Sequence, residues 1–204
     1  MLNTVTGTRR ELKPELEQAL AAYRHKVFVE ALGWPLPARD GLERDAFDRA
    51  DTIYVVAHAD NGEVCGCSRL LPTTRPYLLS EVFPDLMGDI PLPRSPEVWE
   101  LSRFAVSAPT GKNLSSAESW QNTRGLVAKT VALAASHGAE RLIAFSAVGN
   151  ERLLRRMGVN VHRVSCPQLI DDKPVLAFWI EIDQQTLGAL ELEFTPAEAR
   201  PLIN

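Results

Sequence analysis

The chain has 204 residues, 45% apolar and 24% charged, with a formal net charge of −4; this predicts one globular domain spanning 1–204 with a sizeable core and speaks against a nucleic-acid partner. Three cysteines and four scattered histidines (His25, His58, His137, His162) exclude a disulfide framework and offer no metal-ligand spacing, so a reducing compartment and no metal are expected. Residues 1–18 have no apolar h-region and no run is long enough to cross a bilayer, which predicts a soluble cytoplasmic protein without a membrane partner.

Residues 11–32 carry Leu12, Leu16, Leu20, Tyr23, Val27 and Ala31 at spacings of three and four, the pattern of a helix, with Gly33 as its stop. Arg24 and Phe28, four apart, project from one side of it, next to the apolar stripe. A polar connection over 36–51 holds Asp45, Asp48 and Asp51. Residues 52–58 and 63–71 form a hairpin about Asp60-Asn61-Gly62, and its return strand carries Cys65 and Cys67 on one face as structural thiols. Residues 72–97 hold six prolines and one short helix around Leu78–Val82; so long an irregular stretch is often functional. A strand at 98–107, an amphipathic helix at 118–137 stopped by His137-Gly138, and a strand at 141–146 follow. A short basic helix at 150–157 is closed by Gly158, late strands occupy 159–164 and 175–182, and 187–204 reads as a loosely attached tail. This order predicts an α/β (α+β) fold, an N-acetyltransferase-like three-layer sandwich with a mixed central sheet.

Charged residues interrupt segments that otherwise read as core: Arg69 in VCGCSRLL, and Glu100 and Arg103 in VWELSRFAV. A charge in a buried strand is costly unless paired, so these three either sit at a cleft or point to solvent. Residues 100 and 103 differ by an odd number, and a regular strand puts them on opposite faces. Either a bulge re-aims one of them or they serve two environments.

The stretches YRHKVFVEALGW, DAFD at 45–48, CSRLLPTTRPYLLSEVFP and WELSRFAV closely resemble the autoinducer (acyl-homoserine-lactone) synthases, over about residues 10–180. The resemblance implies transfer of an acyl group from acyl-carrier protein to the amine of S-adenosylmethionine, then lactonisation with release of methylthioadenosine, for quorum sensing. S-adenosylmethionine is then a substrate, and no cofactor is expected. Carried onto this chain, Glu100, Arg69 and Arg103 are the catalytic candidates, with Glu100 as general base. Arg24, Phe28, Trp34, Asp45, Asp48 and Phe104 are the acceptor-binding candidates: aromatic faces suit a sulfonium and arginines a carboxylate. Asp48 with one arginine can equally be an architectural ion pair. Backbone amides at a bulge near 102–104 could meet the thioester oxygen.

The acyl pocket candidates are Phe83, Leu101, Phe104, Leu142, Ala144, Phe145 and Val148, each equally plausible as core, together with Ser102. Ile143 and Ala144 stand where the family's 3-oxo-selective members place a threonine, which implies an unsubstituted acyl chain of medium length. Arg152, Arg155 and Arg156 lie on the exposed side of the basic helix, as a docking patch for an acidic carrier or simply a solvated face. The enzyme is expected to act as a monomer. The main rival is an N-acyltransferase of the same fold using a coenzyme A thioester, which needs a glycine-rich pyrophosphate cradle at a helix N-terminus. The nearest such segment, 122–127 (NTRGLV), lacks the first Gln/Arg and the last small residue. A non-catalytic sensor of the lactone or of S-adenosylmethionine, and a methyltransferase, fit less well: there is no DNA-binding module and no glycine-rich dinucleotide loop.

Overall fold

The computed structural model describes residues 2–193. A strand that the hydrophobic pattern does not reveal, β1 (Asn3–Thr8), opens the chain. It alternates threonines with small residues and gains its place by pairing antiparallel with β4 (Ile53–His58) from Asn3↔His58 to Thr8↔Ile53. Helix α1 (Pro14–Arg24) starts at the proline and passes directly into a π-helical segment, His25–Ala31. The wider turn shifts the buried stripe. Leu20, Tyr23, Arg24 and Phe28 are buried, while Ala31, expected in the core, is exposed. The connection at 36–51 is not wholly irregular: β2 (Ala38–Arg39) and β3 (Leu42–Glu43) form a small hairpin.

The hairpin of β4 and β5 (Val64–Pro72) is as expected, and β5 continues to β6 (Val98–Val106). Between them lie α2 (Leu78–Val82) and a 3-10 turn at Pro84–Met87. Helix α3 (Ser116–Ser136) begins with a capping box, Ser115 Oγ accepting from the Glu118 N–H at 3.2 Å and the Glu118 carboxylate accepting from the Ser115 N–H at 2.8 Å. Then follow β7 (Arg141–Ala147), α4 (Val148–Arg156), β8 (Val161–Arg163), β9 (Gln168–Ile170), β10 (Lys173–Glu181) and α5 (Gln184–Ala189).

The strands build one eight-stranded mixed sheet, ordered β1-β4-β5-β6-β7-β10-β8, with β9 also on β10. Alternation along each strand sorts side chains onto two faces. Leu70, Leu142, Ala144, Leu176 and Phe178 face a core closed by α3, α4 and α5, whereas Leu71, Val98, Ile143 and Ala177 face α2 and the 3-10 turn. Tyr54, Val56 and Cys67 continue that second face under α1. This is the three-layer sandwich that the element order predicts. Among the described residues only β6 and β7 pair in parallel, from Val98↔Arg141 to Leu101↔Ala144. Beyond Leu101 and Ala144 both strands run on without pairing to each other, so the sheet parts at this seam.

The tail expectation is corrected for its described part. Helix α5 is capped by Asp183, whose side chain accepts from the Thr186 N–H at 2.9 Å, and Leu190 is buried in the main core with Leu187 and Leu192 packed against it. Apolar residues at 187, 190 and 192 dock this segment; residues 194–204 lie outside the described ones. Gly158 makes the docking possible. It has φ of 87°, and a Cβ there would lie 2.9 Å from the Ala189 Cβ. Gly158→Ala is expected to lower stability by about 2 kcal/mol, from left-handed strain and overpacking together. Urea unfolding would check this, and an unchanged midpoint would show that α5 is not held there.

Candidate active site

The site grows from four segments on the α1 face of the sheet. Helix α1 contributes Arg24, the π segment Phe28, the 36–51 connection Glu43, Asp45 and Asp48, and the β5–β6 pair Arg69, Glu100, Ser102 and Arg103. The parity conflict between residues 100 and 103 is resolved by a bulge in β6. Arg69 pairs with Ser102 and Cys67 with Ala105, so Arg103 and Phe104 together oppose Ser68. Arg103 takes a left-handed φ of 51°. Its side chain therefore joins Arg69 on the α1 face, while Phe104 turns to the opposite core. The Cys67 thiol donates to the Arg103 carbonyl at 3.0 Å and so holds the bulge, an anchoring role consistent with a buried thiol whose pKa burial pushes up to about 12.

Three guanidiniums meet three carboxylates here. Arg24 forks onto Asp48 (2.7 and 2.9 Å) and donates Nε–H to Glu43 at 2.5 Å. Arg69 reaches Asp45 at 2.6 Å and Asp48 at 2.9 Å, and its Nε–H donates to Ser102 Oγ at 3.0 Å. Arg103 binds Glu43 at 3.0 Å and Asp45 at 2.8 Å. Tyr54 adds a hydroxyl donor to Asp48 at 2.5 Å. Burial alone would raise the Asp48 pKa, but Arg24, Arg69 and Tyr54 outweigh it and hold the carboxyl well below the usual range. Burial and the Asp48 charge together raise the Tyr54 hydroxyl.

Glu43 and Tyr54 are the members that sequence reasoning missed. Glu43 stood in a polar loop with several other acids and no periodicity, and Tyr54 read as an ordinary strand aromatic. The available signal was electrostatic: three buried arginines need more anions than Asp45 and Asp48 supply.

Glu100 stands outside this lattice. It is fully buried, Oε2 accepts from the Leu79 N–H at 2.6 Å, and Oε1 has no hydrogen-bond partner among the described residues. Burial pushes its carboxyl up to about 7, against the Leu79 N–H, Arg69 and Ser102, which pull it down. Arg69 Nη2 is also buried without a partner. Arg103 lies over the Phe28 ring at 5.6 Å, and Trp34 stacks on Phe28 at 5.1 Å with 38% of its surface exposed. Contacts thus run unbroken from Trp34 through Phe28, Arg103, Asp45 and Arg69 to Ser102, two residues from Glu100 on the same face.

The acyl-pocket candidates do not share one face. Phe83 and Phe145, with ring centroids 5.0 Å apart, lie on the α1 and α2 side. Leu101, Leu142, Ala144 and Val148 lie with Phe104 on the α3 and α4 side. Strand alternation imposes the division, so the apolar candidates fall into two groups either side of the seam, and Phe104, expected at the acceptor site, stands with the second group, away from Arg69 and Arg103. Ser102 belongs to the polar network through Arg69, not to an apolar lining. Of the basic helix, Arg152, Arg155 and Arg156 are all exposed. Arg155 pairs with buried Glu151, which Arg163 also binds at 2.9 Å, and Arg156 lies over Trp120 at 5.1 Å. Segment 122–127 lies inside α3, its backbone committed to the helix, and cannot form a pyrophosphate cradle.

The raised Glu100 pKa has a stability consequence. The native state binds this proton more tightly than the unfolded chain, so the contribution is present below about pH 4.5 and is lost as pH rises through about 7. Glu100→Gln is expected to gain about 2 kcal/mol relative to the parent between pH 5.5 and 8.5, read by urea unfolding at both values. A pH-independent difference would mean that Glu100 ionises normally.

A family model described as autoinducer synthase matches residues 9–190. The chain is 49% identical over 190 residues to an acyl-homoserine-lactone synthase of Ralstonia solanacearum, covering 92% of this chain and 93% of that one. The crystal structure of TofI in a ternary complex with an inhibitor and MTA superposes with a TM-score of 0.82 at 47% identity, covering 94% and 97% of the two chains. That of BjaI, a CoA-dependent acyl-homoserine lactone synthase, with SAM and isopentyl-CoA, superposes with a TM-score of 0.80 at 29% identity over 94% and 87%.

Proposed function

Because the chain belongs to the autoinducer synthase family and is an acyl-homoserine-lactone synthase, we propose that it acylates S-adenosylmethionine with a chain delivered by acyl-carrier protein and then closes the lactone. The observation that carries this reading is the pairing of a buried, proton-hungry Glu100 with an arginine and aromatic surface on one face of a parted sheet. TofI with MTA and BjaI with SAM support S-adenosylmethionine as acceptor.

The half-open Trp34, held in place by its stacking on buried Phe28, offers a ring face to the sulfonium. The unpartnered Nη2 of Arg69 offers a donor for the acceptor carboxylate. Glu100 Oε1 takes a proton from the acceptor ammonium, directly or through water. The free amine attacks the thioester carbon, and the tetrahedral oxyanion is met by backbone N–H groups of the bulge, beyond the last β6–β7 pair. The carbon–sulfur bond of the thioester then breaks, the carrier thiolate leaves and takes a proton, and the amide remains. An oxygen of the acceptor carboxylate next attacks the methylene carbon bonded to the sulfonium. That carbon–sulfur bond breaks, methylthioadenosine departs and the lactone ring closes.

The donor is read as carrier-bound from the charge of α4 and from the helix end where the coenzyme A cradle would have to lie. Arg152, Arg155 and Arg156 are presented together to solvent for an acidic partner, and the α3 N-terminus is closed by its own Ser115 and Glu118. Since BjaI is CoA-dependent, the donor test is direct. Carrier thioesters are expected to exceed coenzyme A thioesters at least tenfold in kcat/KM, with the carrier KM rising as salt is raised. Equal use of both donors without salt dependence would overturn the carrier reading.

Two further measurements test the chemistry. Mass spectrometry of culture extract from an expressing host is expected to show acyl-homoserine lactone together with methylthioadenosine. Glu100 works as a base only when ionised, so the rate is expected to rise with pH through about 7 and then level. Glu100→Gln should lose that limb and about 100-fold or more in rate while still binding S-adenosylmethionine. Full turnover in the variant would remove Glu100 from the role.

A further inference from the structure

Helix α3 packs on β1, β4, β5 and β6, whereas α4 packs on β7, β8 and β10. The division between the two helices therefore follows the seam at which β6 and β7 part. Along it stand half-buried apolar side chains: Leu101 and Phe104 from β6, Val148 and Leu153 from α4, and Trp120 from α3. Among the described residues one aromatic contact crosses between the helices, the Arg156 guanidinium over the Trp120 ring at 5.1 Å. One turn after Trp120, Arg124 donates to the Ala189 carbonyl at 2.7 Å and pairs with Glu191 at 3.0 Å, which ties this part of α3 to α5. The indole is thus covered on one face by Arg156 and packed against the main core, on a stretch of α3 anchored to α5.

We propose that Trp120 is the specificity-determining residue for acyl-chain length, its indole filling space that the distal methylenes of a longer chain would need. This rests on the acyl-transfer reading above and adds to it the route of the chain. The thioester enters at the seam beside Glu100, and the tail crosses to the α3 and α4 face between Leu101, Phe104 and Val148. Trp120 touches neither the reacting atoms nor the acceptor, so it acts on which donors are used and not on the chemistry.

The test is the ratio of kcat/KM for carrier-bound chains of four to fourteen carbons, measured within each variant so that the active fraction cancels. Each methylene newly accommodated is worth about a fourfold gain. Trp120→Ala is expected to move the optimum at least two carbons longer and to raise the long-to-medium ratio at least tenfold. Trp120→Leu, which keeps helix propensity and apolar contact, covers the case in which the alanine variant fails to fold, and should move the optimum in the same direction. An unchanged length profile in a folded Trp120→Leu overturns the assignment. Should carrier thioesters prove inert, the same ratio is read with coenzyme A thioesters, and a parent enzyme that transfers no chain of any length from either donor would instead sink the acyl-transfer reading on which it rests.

Discussion

The site depends on mutual neutralisation of three buried guanidiniums by three carboxylates, Glu43 and Asp48 buried and Asp45 half-buried. No member can be left alone, because one unpaired buried charge costs about 3–5 kcal/mol. Arg24 can enter the core beneath α1 only if Glu43 and Asp48 are already there. The 36–51 connection must therefore fold back over the sheet, and its few strand residues and turns are shaped by the ion lattice more than by their own propensities. Asp45 and Asp48 each serve two arginines, and Glu43 serves two as well. One ionic knot thereby ties α1, the loop, β5 and β6 together.

The same lattice explains the strained residue. A left-handed conformation at a non-glycine position costs on the order of 1–3 kcal/mol. At Arg103 it is offset by two carboxylates on the side chain and by the Cys67 thiol on the backbone carbonyl. Without the bulge, Arg103 would point into the apolar core of α3, where nothing anionic faces it. Bulge and ion pairs each require the other.

How much of this the sequence disclosed follows from the kind of signal each feature leaves. The two faces of β4 to β7, the hairpin and α3 were legible because alternation and helical periodicity are direct imprints of burial. The arginines in β5 and β6 were legible as anomalies, and the odd spacing of Glu100 and Arg103 pointed to a bulge. β1 was not legible: NTVTGT has no apolar face of its own, and only pairing with β4 makes it a strand. The π segment was hidden because its pattern differs from an α-helix by one inserted residue per turn. The docking of Leu190 was masked by a polar, glycine-containing approach at 184–189. The division of the acyl-pocket candidates between faces was readable from parity at Ala144 and Phe145, since neighbours in a strand cannot share a face. The partner of each arginine was out of reach, because several acids in one loop are equivalent until the loop is folded.

The position of Glu100 relative to the lattice gives the arrangement its chemical sense. Had it joined as a fourth carboxylate forked by an arginine, its pKa would fall as that of Asp48 does, and it would be too weak a base for an ammonium. Full burial outweighs the Leu79 and Leu78 N–H groups, Ser102 and a nearby, unforked Arg69, and keeps it ionisable near neutrality. The lattice supplies rigidity and an excess of donors, and Glu100, which stands outside it, is left free for the proton-holding role proposed for it. The cost is borne in stability at the pH where the base is ionised. Two residues along β6, the strand parts from β7, and half-buried apolar side chains stand on the other face. On the proposed reading, a polar acceptor and an apolar donor approach from opposite sides of one sheet and meet where it opens.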